Sequence, residues 1–274
     1  MIDGFNAALS AVFDLVLAPF GHRQAWFDLL AWPILAGIVA LLVYKRLSNQ
    51  AGITRAKNGI VVNLLEVMLY RHDLVGVLAS TGRALWHNLR YLGHNMLPMV
   101  VMFVPMMAML VQLVSHYAYA PVPVGGVELL SAHVDPHAGG LKATDVTLEL
   151  PDGVALDAPP VRTADGEVVW RLRAMAAGDY TLRVHAGDRV IEKGFAVGEP
   201  PRKVPVIRTK SWEALLYPAE RAMPAASPLY SVDLQYPARP LRFFPDGETG
   251  ILIWFFVASL GAGVALKNRF GVTL

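Results

Sequence analysis

Three stretches of this chain lose the polar interruptions that mark the rest of it. Met96 to Val114, MLPMVVMFVPMMAMLVQLV, is nineteen residues without a formal charge, long enough to cross a hydrocarbon layer of about 30 Å as a helix. Leu29 to Tyr44 is extended past Asp28 by Ala25, Trp26 and Phe27, and Gly250 to Leu266 is uncharged with aromatic residues toward its start. Three transmembrane helices are expected, at 25–44, 96–115 and 250–266.

Elsewhere the periodicity differs. Residues 1–24 predict an amphipathic helix, with Phe5, Leu9, Val12, Phe13, Val16 and Leu17 on one face and Asp3, Asn6, Ser10 and Asp14 on the other. It ends at Pro19 and Gly21 and lies in the outer interface or packs on an outer domain. Residues 45–95 carry two apolar stripes. Ile53, Ile60, Leu64 and Met68, widened by Val61, Leu65 and Leu69, form the first; Leu74, Val77, Leu78, Leu85, Leu89 and Leu92 form the second. They meet at His72-Asp73 and predict a basic helical hairpin whose apolar faces pack on each other or lie on the inner leaflet.

Past Pro121, Pro123 and Gly125-Gly126 the helical period gives way to alternation: Val146, Leu148 and Leu150, then Val168, Trp170 and Leu172, then Tyr180, Leu182 and Val184. Gly187-Asp188 offers a hairpin turn into 190–197. Six or seven strands within 126–198 predict an immunoglobulin-like β-sandwich domain over 116–198. Residues 199–249 read as a proline-rich return segment with a short helix in 211–223 and a strand in 229–236; Phe243 and Phe244 suit an interfacial aromatic belt. A tail, 267–274, follows the last span. The fold class expected is an α+β membrane protein: three transmembrane helices, a cytoplasmic helical hairpin and an extracytoplasmic immunoglobulin-like β-sandwich.

Composition agrees with membrane residence, at 54% hydrophobic and 17% charged residues in 274. With no cysteine, disulfides and thiolate metal sites are excluded. The start of the chain lacks the basic region of a secretory signal, so the first span is expected to direct insertion. Lys45, Arg46, Arg55, Lys57, Arg71, Arg83 and Arg90 face only Glu66 and Asp73 within 45–95, residues 1–28 hold Arg23 against three acids, and the tail adds Lys267 and Arg269. The positive-inside rule then puts the hairpin and the C-terminus in the cytoplasm and the N-terminus outside, in an inner or plasma membrane.

Candidate chemistry is sparse. His133, Asp135 and His137 share strand spacing suited to zinc but lack a third partner of defined spacing, so no metal is expected. No phosphate loop, G-x-S-x-G elbow or H-E-x-x-H occurs, and neither an enzyme nor a cofactor is expected. Within the membrane, Asn95 and Gln112 bracket the Met-rich, proline-containing span as polar groups able to line a groove. The hairpin bases suit lipid head groups or an acidic partner such as the ribosome, without specific nucleic-acid readout.

In this order of elements, with the segment Asn95 to Leu113 at its centre, the chain resembles the Oxa/YidC insertase superfamily. The likeness is closest to its three-span members, archaeal YidC-like proteins and insertase subunits of the endoplasmic reticulum. It covers residues 25–115 and 250–274. The chain departs in having no arginine within the first span and over a hundred residues between spans two and three. The resemblance implies a non-enzymatic insertase or membrane chaperone whose groove receives hydrophobic segments of membrane proteins. Asn95 and Gln112 would border that groove, and Arg55 and Lys57 would belong to the recruiting hairpin. The alternative is a scaffold or sensor subunit that binds an envelope partner through its β-domain.

Overall fold

The computed structural model describes residues 2–17, 25–70, 72–137, 140–241 and 245–272. The expected helix stop at Pro19 and Gly21, the bases Arg23 and Arg71, and the belt residues Phe243 and Phe244 lie outside the described residues. Five helices are described: α1 (Ile2–Leu17), α2 (Ala25–Leu47), α3 (Gln50–Leu69), α4 (Leu74–Tyr117) and α5 (Gly247–Phe270). Three of them, α2, α4 and α5, are long and apolar enough to cross a membrane. Eight strands follow one another between α4 and α5: β1 (Val127–Val134), β2 (Val146–Glu149), β3 (Val154–Arg162), β4 (Glu167–Ala174), β5 (Gly178–Ala186), β6 (Arg189–Val197), β7 (Ile207–Thr209) and β8 (Leu229–Leu234). The chain is therefore α+β. It divides into two compact units, Met1–Leu29 with Leu110–Ile253, and Leu30–Met109 with Trp254–Leu274.

In the second unit, the expected hairpin is present, but the second stripe and the Met-rich span form one continuous helix. Nothing between Tyr91 and Leu97 breaks it, and α4 runs through Pro98 and Pro105 for 44 residues, about 66 Å at 1.5 Å per residue. Asn49 caps α3 by accepting from the Gly52 N–H at 2.9 Å, and Asp73 opens α4 by accepting from the Val75 N–H at 3.1 Å.

The contacts that join the hairpin are polar. Arg83 donates to Glu66 at 2.7 Å and to Asn63 at 2.9 Å, and Ser80 donates to Glu66 at 2.8 Å. The rings of His87 and His94 lie against Gly59 and Gly52, where an added Cβ would come within 2.7 and 2.9 Å of them. The pairs 52 with 94, 59 with 87, 63 with 83 and 66 with 80 are all centred on Asp73, the register of an antiparallel hairpin. Apart from Ile53, which is buried, the apolar stripes are largely turned outward. Met68, Leu69, Leu74 and Val75 are each at least 74% exposed, whereas Asn63 and Ser80 are 6% and 4% exposed.

In the first unit, two antiparallel sheets share one apolar core. The larger has strand order β3-β4-β1-β8-β7 and the smaller β2-β5-β6. Leu130, Trp170, Leu172, Leu182, Val184, Phe195, Val232 and Leu234 all contribute to the core, which is the inward half of each alternation seen in the sequence. The return segment is more than a connection, because β8 inserts between β1 and β7. The helix expected in 211–223 is reduced to a single 3-10 turn, Trp212–Leu215. Pro159 and Pro160 fall on β3, an edge strand with an irregular register, where missing ladder donors do least harm.

One charge is buried in this core. The Lys193 side chain is fully buried, donates to the Pro205 carbonyl at 2.6 Å and pairs with Glu220, which also accepts from the Gly194 N–H at 2.7 Å. Burial pulls its ammonium below the ordinary lysine value, and Glu220 opposes that shift. Replacing Lys193 by Met leaves the Glu220 carboxylate without its cation and is expected to cost about 3–5 kcal/mol. The double variant K193M/E220L should cost less than K193M alone, measured by thermal or denaturant unfolding of the full chain in detergent.

Candidate functional site

The second unit contains a cavity of about 420 Å³ between α2, α4 and α5. Met99, Met102 and Met106 of α4 line one wall at the i, i+3, i+7 spacing of a single helical face; Gly37, Leu41 and Tyr44 of α2 and Phe256, Ser259 and Gly263 of α5 contribute the others. The lining residues Leu92, Met99 and Leu260 are more than half exposed, so the cavity opens at the surface. A smaller cavity of about 110 Å³ lies behind Met102 and Met106, lined also by Leu35, Val39 and Pro105. The methionine wall thus has free volume on both sides. Unbranched thioether side chains with three rotatable bonds fill such space in more than one arrangement.

Two features give the cavity its frame. Gly37 brings α2 against α5 so closely that a Cβ there would stand 2.2 Å from the Ser259 carbonyl oxygen. At the Asn95 end, Tyr44 donates its hydroxyl to the Asn95 side-chain oxygen, and Asn95 donates from Nδ2 to the Tyr91 carbonyl at 2.6 Å. The clasp joins α2 to α4 and satisfies a polar group that is only 8% exposed. Beside it Leu41, Tyr44, Ile53 and Val272 form a small core.

Asn95 therefore lines the cavity, as its place in the sequence suggests. Gln112 does not. It belongs to a polar cluster of the first unit, where it is fully buried. Its amide donates to Ser10 at 3.4 Å, and Lys203 donates to Ser10 at 3.1 Å and to the Gln112 oxygen at 3.4 Å. One helical turn on, His116 meets Asp14 at 2.8 Å through Nε2 and the Gln112 carbonyl at 2.7 Å through Nδ1. Burial lowers the Lys203 ammonium from its ordinary value, with Asp14 opposing. The polar face of α1 is thereby turned onto the protein: Asn6 donates to the Ala214 carbonyl at 2.8 Å, while Val12 and Leu15 are 57% and 76% exposed.

The remaining candidates separate. Arg55 lines a polar cavity of about 330 Å³ with His87, Arg90 and His94, whereas Lys57 is exposed on α3 and outside that lining. His133, Asp135 and His137 are not drawn together, because β1 ends at Val134 and the shared face is lost beyond it. His133 points to Asp233 at 3.2 Å and Glu167 at 3.9 Å. Asp135 is held by Lys210 and by the His137 N–H, which keep its carboxyl down at about 2. Among the described residues no group of three histidines or carboxylates is placed to hold a metal ion. The methionine spacing was visible in the sequence, but the cavity also needed Gly37 and Tyr44, which no motif singled out.

Substituting Val for Gly37 is expected to push α2 off α5 and to destabilise by at least about 1–3 kcal/mol. Asn95→Leu, which strips the buried Tyr44 hydroxyl of its acceptor, should cost about 1–3 kcal/mol; melting curves in uncharged detergent would measure both. No family model, curated protein or solved structure matches this chain, so its site is read from its own geometry.

Proposed function

We propose that this chain is an integral membrane protein that shelters hydrophobic segments of other membrane proteins during their insertion or assembly, in the manner of the Oxa/YidC superfamily it resembles. The observation that carries this reading is the outward-opening cavity of about 420 Å³, with its adaptable methionine wall. A site that accepts many apolar sequences needs a deformable apolar surface rather than a fixed pattern of donors. A cavity only part-way along a span also suits a segment in transit more than a permanently docked helix.

The distribution of polar and apolar surface supports membrane residence. Large apolar side chains of the hairpin and of α1, among them Met68, Leu69, Leu74, Leu78 and Leu15, are exposed, while Asn63, Glu66, Ser80 and Asp14 are partnered within the protein. That is the arrangement of helices in lipid, where polar groups turn toward the protein interior. Lys45 and Arg46 end α2, and Lys267 and Arg269 end α5. By the positive-inside rule both ends face the cytoplasm, with the β-domain on the opposite side as an immunoglobulin-like module.

The natural absence of cysteine makes the orientation directly testable. Val161→Cys, on the β-domain, should react with a membrane-impermeant maleimide in intact cells or spheroplasts, and Thr54→Cys, on α3, only after permeabilisation. The reverse pattern would invert the topology. For function, photo-crosslinking residues would be placed singly at Met99, Met106, Gln112 and Trp212 in cells. Many different hydrophobic segments captured from Met99 and Met106, with few from the other two, is the expected outcome. A single recurrent partner at Trp212, with only lipid at the cavity positions, would replace the insertase reading with a scaffold.

A further inference from the structure

The polar cavity of the helical unit has a different chemistry from the methionine-lined one. Its volume of about 330 Å³ is lined by Asn49, Gly52, Arg55 and Ala56 of the α3 end and by His87, Arg90 and His94 of α4. On α4 these are i, i+3 and i+7, one stripe; on α3 the small residues Gly52 and Ala56 lie one turn apart and leave the space. Gly52 admits the His94 ring and Gly59 the His87 ring, so both imidazoles are seated against the α3 backbone.

Among the described residues no carboxylate lines this space. The whole stretch 45–95 has only two acids. Glu66 is three turns beyond Arg55 and is engaged by Arg83 and Ser80, and Asp73 caps α4 at the far end of the hairpin. Two permanently charged guanidinium groups therefore face one cavity with two imidazoles and an amide. Arg55 and Arg90 are both exposed, so solvent reaches the site; an anion held between two like charges relieves their repulsion.

We propose that this cavity binds a phosphate group. A guanidinium fork presents paired N–H donors that match phosphate oxygens, and two such forks with two ring N–H groups and an amide offer more donors than one planar carboxylate uses. At about 330 Å³ the cavity has room for a phosphate with a substituent attached. The source of the phosphate is either the head group of an anionic lipid or a phosphate free in solution. Both share the recognising chemistry. The site is independent of the methionine-lined cavity, so it stands or falls separately from the insertase reading.

The test uses the full-length protein in uncharged detergent. In one arm inorganic phosphate is titrated while the melting temperature is followed; in the other, retention of phosphatidylglycerol against phosphatidylcholine is measured by native mass spectrometry. Wild type should respond in at least one arm, and R55Q/R90Q should weaken that response about tenfold or more. R55K/R90K should recover part of it, and Arg173→Gln on β4 should leave it unchanged. Preferential retention of phosphatidylglycerol identifies a lipid head group, and a response to inorganic phosphate without lipid preference identifies a free phosphate. Should R55Q/R90Q unfold, His94→Gln and Arg90→Gln are read singly in the same arms, with weaker binding expected for each. Responses equal in wild type and in whichever of these variants remain folded, or absent from both arms, would overturn the proposal.

Discussion

A polar side chain withdrawn from water must find a partner, and in the helices of this chain that requirement decides which face turns inward. Asn63, Glu66, Ser80 and Arg83 satisfy one another across the hairpin. Asn6, Ser10 and Asp14 of α1 find the Ala214 carbonyl, Gln112, Lys203 and His116. Once these groups face inward, the opposite faces are left with Val12, Leu15, Met68, Leu69, Leu74 and Leu78 exposed. In water each such side chain forgoes about 1.5–3 kcal/mol of burial. In a bilayer it would forgo nothing, so a lipid surround would suit these apolar faces.

A lipid surround would also account for how the cavity is framed. Apolar side chains gain little by leaving lipid for one another, so helix contacts depend on close backbone approach and on a few hydrogen bonds. Gly37 against Ser259 supplies the first, and the Tyr44–Asn95–Tyr91 chain supplies the second. The methionines between them carry neither duty. They are free to rearrange, so a rigid frame encloses an adaptable wall.

Much of this was legible from local pattern. Alternation located β2, β4, β5 and β6, the apolar runs located the three long helices, and His72-Asp73 located the hairpin turn. What local pattern misses is pairing at a distance. The hairpin interface is a polar stripe, Gly52, Gly59, Asn63 and Glu66, that lies between the more conspicuous apolar ones, and its meaning appears only when Ser80, Arg83, His87 and His94 are folded back onto it. Gln112 misled for the same reason: its partners Ser10 and Lys203 are 102 and 91 residues away. The strand expected at 229–236 is β8, but the proline-rich surroundings read as a mere connection, and nothing local told that β8 would enter the larger sheet between β1 and β7. The spacing of His133, Asp135 and His137 was a strand's spacing, but the strand stops at Val134.

The β-domain interrupts the helical chain without requiring its ends to separate. Its first long strand, β1, lies beside its last, β8, in the middle of the larger sheet. The segments that lead in and out also pair, with the Ala120 N–H donating to the Pro237 carbonyl at 3.0 Å and the Arg239 N–H to the Ala118 carbonyl at 2.9 Å. Tyr119 extends this neck by donating its hydroxyl to Glu248 at 2.8 Å, and burial together with that carboxylate raises the phenol from its ordinary value. The end of α4 and the start of α5 are therefore held at neighbouring points by the domain's own backbone. A domain whose ends meet can be inserted between two helices at little cost to either, and here the neck places the burden of that meeting on main-chain hydrogen bonds.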